Sequence, residues 1–233
     1  MVAAKWNWDT AFMLRHFGWK VLAATATNAL FAFVVLRKEL AAFTAVAPRP
    51  QRRARPPGWL SAIHLAFLGL IVLSLHHPAL FVGAFLLFMG VTQATREFQD
   101  SVRVKESLLV GFFLAGLVVL GGLQSWWLAP LIARLDSVFL FLGTTALTAF
   151  TDNAALTYLG SQIPNVTHEF QYALVAGAIA GGGLTVIANA PNPAGYSILQ
   201  TAFGSSGIRP LKLLIAAAVP TLVAMFFLWA FGT

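Results

Sequence analysis

The feature that most restricts this chain is a series of apolar stretches near the length needed to cross a bilayer, with charges confined mainly to the segments between them. A spanning helix needs about 20 predominantly apolar residues. Val21 to Leu36 is the first such stretch, extended at its start by Phe17 to Trp19. Trp59 to Leu75 is the second, and a His76-His77-Pro78 corner turns it into the third, Ala79 to Thr95, so that the two form a helical hairpin. The fourth, Ser107 to Leu128, closes on Trp126 and Trp127, whose amphipathic rings suit a membrane interface, with Pro130 beyond. The last is Leu213 to Phe231. Only 10% of the residues are charged, against roughly a quarter in a soluble domain, so an all-α integral membrane protein is expected.

Two stretches do not fit a straight spanning helix. Ser137 to Thr167 carries one charge, Asp152, at its middle, and is too long for one span yet short for two. A re-entrant helical hairpin over about 137–167, with Asp152 at its tip, fits this length. Each arm of about 15 residues would reach roughly 22 Å into a core about 30 Å thick. Phe170 to Ile208 carries no charge, but Gly181-Gly182-Gly183 and the run Asn189-Ala190-Pro191-Asn192-Pro193-Ala194-Gly195 interrupt it. Glycine lets the backbone leave helical geometry and Pro191 removes a donor, so the spacing predicts a broken helix over about 170–207. In all, about six transmembrane helices are expected, one of them broken, together with the hairpin.

The net charge of +7 does not point to nucleic acid, because the basic residues cluster in loops without aromatics interleaved. They read as orientation signals. Arg37, Lys38, Arg49, Arg52, Arg53 and Arg55 place the Pro-rich loop 37–58 in the cytoplasm. Counting spans from there puts Arg96, Arg103, Lys105, Arg209 and Lys212 on the same side, and has the hairpin enter from outside. Lys5, Arg15 and Lys20 then fall outside, against the rule. Residues 1–20 lack a signal peptide's compact apolar core and, with Trp6, Trp8 and Trp19, read as interfacial. A bacterial cytoplasmic membrane is the expected location.

A carboxylate at the bilayer centre is costly enough that its default reading is functional. Asp152 also suits the N-cap of the second hairpin arm, and at membrane depth such a terminus lines a site whose backbone groups need partners. In the second interruption, backbone carbonyls freed by glycine and proline, the Thr185 hydroxyl and the amides of Asn189 and Asn192 are oxygen donors suited to a hard monovalent cation. Half-helix N-termini would instead favour an anion. The candidate ion- or substrate-binding residues are therefore Thr151, Asp152, Asn153, Gly183, Thr185, Asn189, Pro191 and Asn192, with Na+ at Asp152, Asn153, Thr185 and Asn189.

The remaining polar residues are weaker signals. His76 and His77 are too few for zinc and read as turn residues, and His64 reads as a packing histidine. Glu97 and Asp100 beside Arg96 and Arg103 read as local ion pairing, while Arg134 and Asp136 mark the hairpin entrance. Cysteine is absent, and no His-Glu-x-x-His or Gly-x-Ser-x-Gly stretch supports an intramembrane enzyme or a cofactor site.

Thr151-Asp152-Asn153-Ala154, followed by Gly183-Leu184-Thr185-Val186-Ile187-Ala188-Asn189-Ala190-Pro191-Asn192, resembles the carboxy-terminal half of the ion transporter superfamily, in its sodium/proton antiporter branch. The resemblance implies alternating access, with Na+ and H+ as the transported ions and the exchange carboxylate at Asp152. It covers Trp59 to Phe231 as one repeat, with residues 1–36 holding an interfacial segment and the last helix of a preceding repeat. Family members have two inverted repeats, and each motif occurs once here. The resemblance therefore implies a half-protein that works with an amino-terminal repeat, a second chain or a second copy of itself. An organic-anion or oxyanion carrier of the same superfamily, and a non-transporting membrane-anchor subunit, are the alternatives.

Overall fold

A computed structural model describes residues 2–43, 56–74, 77–99, 102, 104–123, 126–127, 130, 135–200, 202–203 and 207–232. Every regular element among them is helical. In chain order these are α1 (Val2–Lys5), α2 (Thr10–Met13), a π-helical turn (Leu14–Gly18), α3 (Trp19–Phe43), α4 (Gly58–Leu73), α5 (Pro78–Ala94), a short 3-10 turn (Arg96–Phe98) and α6 (Val104–Gly122). There follow α7 (Ser137–Thr148), α8 (Asn153–Ser161), α9 (His168–Gly181), α10 (Asn192–Leu199) and α11 (Pro210–Ala230).

Two of these helical stretches, Thr10–Ala42 and Pro210–Ala230, are long and apolar enough to cross a membrane. Shorter apolar helices occupy Gly58–Leu73 and Pro78–Ala94, where two further spans are expected from the sequence. At 16 and 17 residues they measure about 24–26 Å at 1.5 Å per residue, a little under the hydrocarbon thickness. The first span departs from its expected end. α3 continues beyond Leu36 through Arg37, Lys38 and Glu39 to Phe43, because Arg-Lys-Glu-Leu-Ala-Ala are all good helix formers and nothing there breaks the helix. The loop expected at 37–58 is thus helical over its first seven residues, and Arg49, Arg52, Arg53 and Arg55 lie outside the described residues, as do His76, Asp100, Arg103 and Arg134.

The chain divides into two compact units, one of residues 1–38 with 106–233 and one of residues 39–105. In the second unit α4 and α5 form a helical hairpin. Phe88 of α5 meets His64 and Phe67 of α4 edge-on at ring centroid distances of 5.4 and 5.5 Å. His64 packs as expected for an apolar helix, although its Nε2 is buried without a partner among the described residues.

In the first unit α9 is the central element. From Phe170 to Gly181 all its residues but Gln171 and Ile179 are buried. Most of what it buries is small, namely Ala173, Ala176, Gly177, Ala178, Ala180 and Gly181, beside the larger Phe170, Tyr172, Leu174 and Val175. The large apolar side chains Leu22, Phe33, Phe139, Ile215 and Leu222 point outward. This is the pattern of a bundle solvated by lipid, where close backbone approach replaces water-driven burial of large groups. Gly177 and Gly181 show why small residues are required. A Cβ on Gly177 would stand 2.6 Å from the Phe141 carbonyl oxygen, and one on Gly181 would stand 2.6 Å from the Thr145 carbonyl oxygen. The Thr145 hydroxyl, shared between Phe141 O at 2.9 Å and Gly177 O at 3.2 Å, closes the same contact.

The pairings 141 with 177 and 145 with 181 make α7 and α9 parallel neighbours. At their N-terminal end the Ser137 hydroxyl donates to Glu169 Oε1 at 2.6 Å. Asp136 and Thr167 cap the two helices there, accepting from Val138 N and Phe170 N. The end of α11 lies at this same end, with Trp229 packed on Phe141 at 5.0 Å. So does the amino-terminal segment. Trp8 and Phe17 are buried, Phe17 stacks on Tyr172 at 4.9 Å, and Lys5 Nζ donates to Gln162 at 3.1 Å. Residues 2–18 are thus folded against the bundle end, more than an interfacial segment requires.

Candidate functional site

The chemistry-bearing residues gather where α7 and α9 both stop. α7 has 12 residues and α9 has 14, about 18 and 21 Å of parallel helix from a common end. Thr148 and Gly181 therefore fall at one level, with a Cβ on Gly181 standing 2.7 Å from Thr148 Cβ. Beyond Thr148 the chain turns through 149–152 into α8, and beyond Gly181 it runs through turns and bends over 182–191 into α10. Two helix C-termini and two helix N-termini thus border the same region.

Asp152 ends the first turn segment. Its backbone is extended, at φ −75° and ψ 140°, and its carboxylate accepts the Ala154 amide at 2.7 Å as the N-cap of α8. It is only 7% exposed. Capping and burial coincide in one carboxylate, whose Oδ1 is the atom engaged by the cap.

Three contacts join the two interruptions. The Asn153 amide donates to Ala188 O at 3.0 Å. The Thr185 hydroxyl donates to Ala149 O at 2.8 Å. The Asn153 side-chain nitrogen lies 3.2 Å from where a Gly182 Cβ would be, so glycine is what lets that side chain reach across. Asn192 then braces the second interruption from inside, its amide donating to Gly182 O at 2.8 Å and Thr185 O at 2.9 Å.

Of the residues singled out in the sequence, Asn153 and Thr185 make this crossing, Asp152 adjoins it as the cap of α8, and Asn192 braces the second interruption from within. Asn189 is half-buried in the second interruption, and its carbonyl accepts the Asn192 amide at 3.0 Å. Pro191 is exposed and precedes α10 as its N-cap, while Gly183 is exposed with nothing near its Cβ position. Thr151 is not brought in: it is exposed, and its hydroxyl donates back to Leu147 O at 3.0 Å, in the last turn of α7. In the second interruption, where freed carbonyls are expected, those of Gly182, Thr185 and Ala188 are engaged by the chain, and so is that of Ala149 after α7. A carbonyl has two lone pairs, so those of Ala149, Gly182 and Ala188 can accept again, whereas Thr185 O already accepts from both the Asn192 side chain and Ala188 N.

The arrangement can hold a small cation. Helix C-termini carry partial negative charge, and α7 and α9 both direct theirs here, beside one buried carboxylate and the hydroxyl and amide oxygens of Thr185 and Asn153. An anion would look to helix N-termini, of which that of α8 is already taken by Asp152 and that of α10 has no side-chain cap.

Sequence reasoning missed Ala149 and Ala188, because a backbone carbonyl has no signature in the sequence. It also read Lys20 as an orientation signal, whereas its Nζ is buried against Tyr172. The clue available was a lysine next to an apolar run. The family profile described as "Putative Na+/H+ antiporter" matches residues 1–231. No curated protein and no solved structure matches the chain. The chain belongs to this antiporter family, which places it among cation/proton transporters of the membrane.

Proposed function

We propose that, as a member of this family, the chain exchanges Na+ for H+ across a membrane by alternating access, with Asp152 as the carboxylate for which the two ions compete. The observation that carries the reading is a single buried carboxylate at the N-terminus of α8, held beside the 182–191 interruption by the Asn153–Ala188 and Thr185–Ala149 contacts. One group that binds either ion, and crosses the membrane only when loaded, couples the two gradients without further machinery. In this reading Asn153, Thr185 and Asn189 complete the Na+ shell with neutral oxygens.

The reading includes about six membrane crossings in a bacterial cytoplasmic membrane, with 137–167 as a re-entrant hairpin. It also includes a second hairpin-and-break unit, from another segment, another chain or a second copy, since each motif occurs once here. The common end of α7, α9 and α11 faces outward. Lys20 then ceases to oppose that orientation, because its ammonium group is buried against Tyr172, while the exposed Lys5 and Arg15 still run against the rule.

Na+-dependent proton flux, followed by dye quenching in everted vesicles, tests this. Flux with the wild-type chain, alone or with a complementing unit, that disappears in Asp152→Asn supports the reading. Equal flux in Asp152→Asn, or none in any well-expressed combination, refutes it.

A further inference from the structure

Lys20 is a charged side chain that the exchange site leaves unused and the fold buries. It stands in the first turn of α3, where a lysine ordinarily bends its ammonium out to the membrane surface. Here it is 3% exposed. Its Nζ donates to Tyr172 Oη at 2.9 Å, and Tyr172 Oη donates onward to the Leu228 carbonyl at 2.7 Å. The same Nζ lies 4.6 Å from the centroid of the Tyr172 ring. Tyr172 is itself 4% exposed. Leu228 belongs to the last turn of α11, where carbonyls lack helical donors; the Gly232 amide goes to Trp229 instead. Two hydrogen bonds in series thus tie α3, α9 and α11 together at one end of the bundle.

Burying an ammonium group is costly unless it is well partnered, and a bundle needing only a staple could use apolar packing. What the position offers is a grip on α9. Tyr172 and Gly181 lie on the same helix, about 13–14 Å apart along a continuous rod, and beyond Gly181 runs the segment whose Ala188 carbonyl accepts the Asn153 amide, next to Asp152. Axial movement or rotation of α9 at Tyr172 is carried to that segment, because α9 is packed along its length.

We propose that Lys20 and Tyr172 are positioning residues for the exchange site: their link to Leu228 sets where α9 sits, and so how closely the 182–191 segment approaches Asp152. This rests on the exchange reading for its functional consequence, whereas the mechanical link can be tested without it. A local staple would protect only its own surroundings; a positioning link also governs the far end of α9.

The test uses the full chain in lipid nanodiscs and proteoliposomes, with Lys20→Met, Tyr172→Phe, the double variant, Lys20→Arg and Asp152→Asn. Amide hydrogen exchange over 182–190 is expected to speed up by at least about threefold in Lys20→Met and Tyr172→Phe, with α4 and α5 unchanged. The apparent KM for Na+ should rise by about five- to tenfold with kcat altered less than about twofold, the double variant should match the singles, and Lys20→Arg should recover most of the loss. Unchanged protection over 182–190 in folded Lys20→Met and Tyr172→Phe overturns the link. So does full additivity of the two substitutions. Flux that is absent throughout, or indifferent to Asp152→Asn, refutes the exchange reading alone, and the hydrogen-exchange result still decides the link.

Discussion

The Thr185 hydroxyl donates to the carbonyl oxygen of Ala149 at 2.8 Å, joining the segment after α9 to the turn after α7 across 36 positions of sequence. Ala149 stands three residues before Asp152, so this bond fixes the turn that presents the carboxylate. It also turns the hydroxyl's lone pairs away from Ala149.

Thr185→Val therefore removes both the tie and an oxygen donor while keeping the shape. A lost partly buried hydrogen bond of about 1–1.5 kcal/mol corresponds to a KM for Na+ raised roughly five- to tenfold. Thr185→Ser, which keeps the hydroxyl, should stay within about twofold. Initial rates of Na+-driven proton flux over a Na+ series check this.

Thr151→Ala should leave the KM for Na+ and the rate within about twofold of wild type. Its hydroxyl is turned back onto Leu147 and the residue is exposed, and replacing such surface groups has small effects. The sequence alone argues the opposite, since Thr151 adjoins Asp152, and the same flux assay decides between them.

Gly177→Ala should destabilise the protein by about 1–3 kcal/mol, because the new methyl would stand 2.6 Å from the Phe141 carbonyl oxygen on α7 and the helices would have to separate. Gly183→Ala is the control, with nothing within 4 Å of its Cβ position. Thermal unfolding of both variants in detergent, beside wild type, should lower the midpoint only for Gly177→Ala.

Competition at one carboxylate predicts a particular kinetic pattern. On the acid side of the profile, each tenfold rise in proton concentration should raise the apparent KM for Na+ by up to about tenfold while the rate at saturating Na+ stays nearly constant. A rate that falls with KM unchanged would point to separate sites for the two ions.

What the sequence made legible follows from residues that act locally. Asp152 caps α8 because a short carboxylate satisfies free amides, and the Gly181-Gly182-Gly183 and Pro191 punctuation stops α9 and delays α10 to Asn192. Those effects need no knowledge of neighbours. The end of the first span was misread at Leu36 because charge was equated with loop, although Arg37, Lys38 and Glu39 continue a helix readily. Lys20 was misread for a different reason: its partners Tyr172 and Leu228 lie far along the chain, and only packing shows that its ammonium turns inward. The same holds for Gly177, whose glycine is required by Phe141 of a neighbouring helix and by nothing in its own sequence context.

The most direct measurement is proton release on Na+ binding to the purified protein, read by calorimetry in buffers of different ionisation enthalpy. The account predicts that Na+ displaces a proton from the wild-type protein near its working pH, and that Asp152→Asn, folded to the same extent, releases none. Undiminished Na+-linked proton release from Asp152→Asn would contradict it and move the exchange site elsewhere in the chain.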